Sequence, residues 1–108
     1  MKVLVIHESK FHSMLFKTCV GEDISVSSME TVDERKIVEL NSGLIFVDSL
    51  ENFKKIKKLN IPTVAHSSDD KENMEMLKLG ANASLNKSSI LDPSFTHFVK
   101  NCFTCFCK

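Results

Sequence analysis

At 108 residues the chain has the size of one domain, and 43% hydrophobic content is enough to build its core. Lys and Arg total 14, Asp and Glu total 14, and the formal net charge is zero, so no global pull toward nucleic acid or an anionic membrane is expected. No apolar stretch approaches the ~18 residues that cross a bilayer, and the N-terminus reads as a strand rather than a leader, so a cytoplasmic protein is expected.

Residues 2–6, Lys-Val-Leu-Val-Ile, read as a buried strand running into His7 and Glu8. Residues 11–20 follow as a helix, with Phe11, Leu15, Thr18 and Cys19 on one face and Gly21 ending it. Ile24-Ser25-Val26 is a weak second strand. Residues 31–40 form a helix in which Thr31 and Glu34 have capping-box spacing, and Ser42-Gly43 breaks it. Residues 44–47, apolar at every position, read as a strand covered on both faces, and it ends at Asp48.

Residues 50–59 read as a helix with Leu50, Phe53, Ile56 and Leu59 on one side. Lys54, Lys55, Lys57 and Lys58 fill the other side as a solvated face or, on a sharper reading, a surface for an acidic partner. Asn60 ends this helix. Pro62 opens a fourth strand, Thr63-Val64-Ala65, at a position where the ladder tolerates proline. Asp69 or Asp70 caps a helix to Leu79, Gly80 terminates it, residues 83–86 form a short fifth strand, and Lys87 follows. Asp92-Pro93 starts the last helix.

Five strands alternating with five helices specify a three-layer α/β fold with a parallel sheet. Right-handed crossovers put all strand C-termini on one edge. There His7-Glu8, Asp48, Ser67-Ser68 and Lys87 can meet, two acids and one ammonium converging on a single sheet edge.

These residues resemble the receiver domain of two-component response regulators. Lys-Val-Leu-Val-Ile-His-Glu-Ser (2–9) looks like that family's first strand with its acidic pair, and Leu-Ile-Phe-Val-Asp (44–48) like its phosphoacceptor strand. Ile-Pro-Thr-Val-Ala-His-Ser-Ser (61–68) looks like the fourth strand with its switch hydroxyl. Gly-Ala-Asn-Ala-Ser-Leu-Asn-Lys (80–87) looks like Gly-Ala-x-x-x-Leu-x-Lys, the most specific of the four segments. The resemblance implies a flavodoxin-like (CheY-like) sandwich, its five parallel strands ordered 2-1-3-4-5, over residues 1–108.

By the same resemblance Asp48 is the phosphoacceptor, Lys87 pairs with the phosphoryl oxygens, and Ser67 donates to the phosphoryl group and moves toward it. Mg²⁺ is held by Glu8, Asp48 and the backbone carbonyl of Leu50. The implied partners are a histidine kinase or phosphotransfer protein and a downstream protein. The chain is then a signalling domain with at most weak autophosphatase activity, not an enzyme. It has no room for a DNA-binding output domain, so contact with neither nucleic acid nor membrane is expected.

The departures from the family pattern are specific. His7 stands where a second acid is usual, and Glu8 is longer than aspartate. The segment from Asp48 to Pro62 is short and lacks the family's Met-Pro and Asp-Gly loop. Ser84 replaces the usual aromatic switch residue, and Ser88, not proline, follows Lys87. These departures open a rival reading, a phosphorylation-independent pseudo-receiver that acts as an interaction scaffold.

Blander readings stand beside these. Asp48 is a helix cap, Ser67 is another, and a His7–Asp48 pair holds an empty pocket together. A small α/β enzyme or nucleotide binder is a third class, but Gly21, Gly43 and Gly80 do not cluster into a phosphate loop. Of the four cysteines, Cys102, Cys105 and Cys107 invite a metal or redox story. Cys-x-x-Cys-x-Cys supplies three ligands where a closed zinc site needs four. Phe95, Phe98, Val99, Cys102, Cys105 and Phe106 instead fall on one helical face. Part of that face is expected to be exposed, as a surface for a partner or a second copy in a homodimer.

Overall fold

The computed structural model describes residues 1–107. Five strands, β1 (Lys2–Ile6), β2 (Ser25–Met29), β3 (Leu44–Val47), β4 (Thr63–Ala65) and β5 (Ala83–Ser84), form one parallel sheet of order β2-β1-β3-β4-β5. The helices are α1 (Lys10–Val20), α2 (Glu34–Leu40), α3 (Leu50–Ile56), α4 (Asp70–Lys78) and α5 (Phe95–Phe106). The expected flavodoxin-like architecture is what the chain adopts.

The alternation of side chains along each strand sorts the core into two halves. Val3, Val5, Leu44, Phe46 and Val64 face one side and pack with Phe16 and Val20 of α1 and Phe95, Val99 and Cys102 of α5. Leu4, Ile6, Ile45, Val47 and Ala65 face the other and pack with Ile37 of α2, Phe53 and Ile56 of α3 and Met76 of α4. The central strands are apolar throughout because both of their faces are covered.

Several boundaries and one helix face differ from expectation. Phe11 is 74% exposed, and α1 instead buries Ser13, Phe16 and Val20. The Phe16 ring sets that rotation, meeting Phe46 and Phe95 edge-on at centroid distances of 4.8 and 5.0 Å. The helix α2 begins at Glu34, because the Asp33 carboxylate, not Thr31, accepts the Lys36 N–H. The strand β2 runs on to Met29, three residues past the expected Val26.

Residues 57–59 tighten into a 3₁₀ turn after α3, and Asn41 and Asn60 close their helices with positive φ. A 3₁₀ turn over Lys87–Leu91 precedes α5, which starts at Phe95, past the expected Asp92-Pro93. On α5, Cys105 is exposed and Phe103 takes its place against the core.

Lys58 reaches Glu34 at 2.8 Å and Lys55 reaches Glu51 at 3.7 Å, exposed pairs that leave this helix face solvated. Among the described residues no helix is long and apolar enough to cross a membrane.

Gly80 closes α4 at φ +117, a conformation that costs a side-chain-bearing residue energy. Gly80→Ala is expected to lower stability by about 1–2 kcal/mol, measurable by urea denaturation. An unchanged midpoint would show that the turn relaxes freely.

Candidate functional site

The sheet carries three chemical residues to its C-terminal rim in one row. Ile6 pairs with Val47, and Val47 with Ala65, so the next residues on these strands are His7, Asp48 and His66. By strand alternation all three side chains start on the α1/α5 side. The His66 ring confirms this, lying edge-on to Phe46 and Phe16 at 5.3 and 6.0 Å.

Asp48 is only 6% exposed. Its Oδ2 accepts the Glu8 N–H at 3.3 Å and its Oδ1 accepts the Asn52 side-chain amide at 3.0 Å. It is not the cap of α3. Ser49 does that work, accepting the Asn52 N–H at 3.1 Å. The Asp48 carboxylate is therefore held by one donor from the β1–α1 loop and one from the first turn of α3 instead of capping that helix.

Three of the four histidines gather beside it. His12, on the inner side of α1, stacks on His7 with ring centroids 4.2 Å apart, and its Nε2 lies 3.1 Å from Nε2 of His66. The partners fix the protons. His66 Nδ1 lies 2.9 Å from the Leu85 carbonyl, which can only accept, so this nitrogen donates and Nε2 carries the lone pair. His12 Nε2–H then donates to His66. His7 Nδ1 accepts the Ser9 N–H at 2.8 Å, which leaves the proton of the neutral ring on Nε2, a buried donor without a partner.

All three rings are held neutral. Burial is the main cause in each, lowering His12 to about 4 and His66 to about 3. His7 is lowered by burial and then by Lys87, against a smaller opposite pull from Asp48 and Glu8. Lys87 adds to the depression of all three.

Ser67, at the next rim position on β4, is buried and fully engaged. Its hydroxyl donates to Glu72 Oε1 at 2.6 Å and accepts the Asp69 N–H at 3.0 Å. The α4 cap is Asp69, whose carboxylate accepts the Lys71 N–H. The second Glu72 oxygen accepts the Leu50 N–H at 2.9 Å.

No protein-family model matches the sequence, and no curated protein matches it. Solved structures do. A response regulator from Thermotoga maritima superposes with a TM-score of 0.76 at 22% identity, covering 95% of this chain and 97% of that one. HP1043, an orphan response regulator of H. pylori, gives 0.74 at 16% identity, covering 94% and 95%. The Mn²⁺-bound form of the response regulator Rcp1 gives 0.64 at 18% identity, covering 96% and 92%.

The chain has the receiver fold. Within it Glu8, Asp48 and Ser67 follow β1, β3 and β4 on one rim, and Lys87, at the start of the 3₁₀ turn, joins it through its N–H to the Ser67 carbonyl at 3.2 Å. The Glu8 side chain is exposed at the lip, while Asp48 and Ser67 are buried. Among the described residues no three His, Cys, Asp or Glu side chains are arranged to hold a metal. The C-terminal cysteines are no exception, since burial raises Cys107 and lifts Cys102 to about 11, so both thiols stay protonated.

Sequence reasoning missed His12, His66, Asn52 and Glu72. His12 and His66 each continue an amphipathic or apolar pattern, so periodicity reads them as ordinary core positions. The available signal was register, because His66 follows β4 as His7 follows β1.

Proposed function

We propose that the chain is a receiver-like signalling module. In this reading it takes a phosphoryl group on Asp48 from a histidine kinase or phosphotransfer protein and signals by contact with a downstream protein. The observation that supports it is the Asp48 carboxylate at the sheet rim, gripped by Glu8 N–H and Asn52, with Lys87 brought to the same rim by its backbone N–H, which donates to the Ser67 carbonyl at 3.2 Å.

An Asp48 oxygen attacks phosphorus of the donor phosphohistidine. The new O–P bond forms as the N–P bond breaks, and the imidazole nitrogen keeps the electron pair and gains a proton. Lys87 offsets the incoming phosphoryl charge. Mg²⁺, if bound, would be held by the oxygens of Glu8, Asp48 and the Leu50 carbonyl, a donor set suited to a hard cation, and would offset the charge of the incoming phosphoryl group. His7 does not oppose it, since the ring is held neutral and its Nδ1 lone pair is taken by Ser9. Slow hydrolysis of the adduct is the only turnover this reading contains.

The test is incubation with acetyl phosphate and Mg²⁺, followed by intact-mass measurement. The expected result is a gain of one phosphoryl group, labile to hydroxylamine and absent without the metal. No adduct, together with no NMR response to beryllofluoride, would overturn the reading.

The 6% exposure of Asp48 and the engaged Ser67 hydroxyl favour a second reading, a pseudo-receiver scaffold whose pocket is closed on its own hydrogen bonds. In that case Asp48→Ala keeps partner binding intact, whereas loss of binding in a folded variant counts against it.

A further inference from the structure

Glu72 makes a contact that its own helix does not require. The start of α4 is already fixed by Asp69, which caps Lys71, and by Asn73, whose amide bonds both the N–H and the C=O of Ser67 at 2.9 and 3.0 Å. The Glu72 carboxylate instead reaches across to the first residue of α3. It bridges the Ser67 hydroxyl at 2.6 Å and the Leu50 N–H at 2.9 Å. Leu50 is two residues beyond Asp48, and Ser67 lies one strand over, beside Ser49 by extension of the β3–β4 register. Two oxygens of one anion thus sit on two donors from the chain segments next to Asp48, one two residues along and one on the neighbouring strand's extension.

We propose that the Glu72 carboxylate is an internal ligand of the acceptor site, seated on the donors that a phosphoryl group on Asp48 needs, so that the two anions exclude one another. The inference rests on Asp48 being a phosphoacceptor. A phosphoryl group carries close to two negative charges and several strong acceptor oxygens, and it cannot share one hydroxyl proton and one N–H with a carboxylate. Its arrival also places a third negative group beside Asp48 and Glu72, and release of Glu72 relieves that repulsion.

Release frees the first turn of α4 from the first residue of α3. That movement supplies an output route in a chain whose Ser84 cannot act as an aromatic relay. The contact also sets a threshold, because phosphoryl binding must first break two hydrogen bonds to a charged group.

The test titrates beryllofluoride with Mg²⁺ into the wild type, Glu72→Gln, Glu72→Asp and Asp48→Asn, following the Leu50 and Ser67 amides by NMR. Circular dichroism melts confirm that each variant is folded. Glutamine removes the charge, and aspartate keeps it on a side chain one methylene too short to bridge both donors. Both Glu72 variants are expected to bind about tenfold tighter than wild type or better, and Asp48→Asn is expected not to bind. Equal or weaker binding by the Glu72 variants, with Asp48→Asn still inactive, would overturn the internal-ligand proposal and leave the acceptor reading standing. No binding by any folded protein would sink both.

Discussion

Acidification from pH 7 to pH 4.5 is expected to strip several kcal/mol from the stability of this protein, and His66→Leu is expected to remove much of that dependence. The folded-state pKa of His66 is pushed down to about 3 and that of His12 to about 4, while the unfolded chain titrates near the ordinary histidine value of about 6.5. Below pH 6.5 the unfolded state therefore binds more protons than the folded state. Stability is fully present above pH 6.5 and is lost as pH falls through the window toward 4 and then 3.

At roughly 1.4 kcal/mol per pH unit per group, His66 alone accounts for about 3 kcal/mol by pH 4.5. His12 adds less, because it is half-buried and its ring shares a hydrogen bond with His66. Against a total of about 5–15 kcal/mol such a loss is large. The charged and titratable groups acting on the pair from other elements are His7, just past β1, Lys87 and, for His12 alone, Asp48.

The measurement is urea denaturation at pH 7.5, 6, 5 and 4.5. Leucine at position 66 keeps apolar contact with Phe16 and Phe46 but leaves the Leu85 carbonyl unpaired. It is expected to be somewhat less stable at pH 7.5 and markedly flatter with pH. An equally steep profile in His66→Leu would mean that the histidine cluster is not what acid attacks.

The same residues show where sequence reading succeeds and where it stops. Phe46 and Val47 were legible because a strand covered on both faces has no polar position, and Asp48 stood out by breaking that run. The sheet order followed from the parallel pattern and the family resemblance. Phe11 was misplaced because a three- or four-residue spacing on α1 fits two adjacent faces. Which face turns inward is decided by Phe16 meeting Phe46 and Phe95, contacts between residues far apart in the chain.

The site was half legible for a related reason. Position along a strand puts Glu8, Asp48, Ser67 and Lys87 on the rim, but it says nothing about hydrogen-bond partners. Glu72 reads as a solvated residue in the first turn of a helix, and only the fold brings it to Leu50 and Ser67. His12 and His66 are separated by 54 residues, and only the packing of α1 on the sheet reveals that they share a proton.

Lys87→Met is expected to act on two observables at once, and the pairing makes it informative. Methionine fills similar volume and removes only the charge. If the ammonium meets the phosphoryl group on Asp48, beryllofluoride affinity and the yield from acetyl phosphate should each fall about 10- to 100-fold, the worth of one charge-assisted hydrogen bond in a partly desolvated site. The same ammonium depresses His7, His12 and His66. Its removal should let the folded-state pKa of each rise toward the unfolded value, so the acid-induced loss of stability below pH 6.5 becomes smaller than in wild type. A variant with weaker beryllofluoride binding and an unchanged pH profile would place the ammonium at the phosphoryl group but away from the histidines. A flatter pH profile with unchanged beryllofluoride binding would place it among the histidines and remove it from the acceptor chemistry. Only the joint change supports one continuous site, in which the cation that receives the phosphoryl group also adds to the burial that keeps the imidazoles neutral.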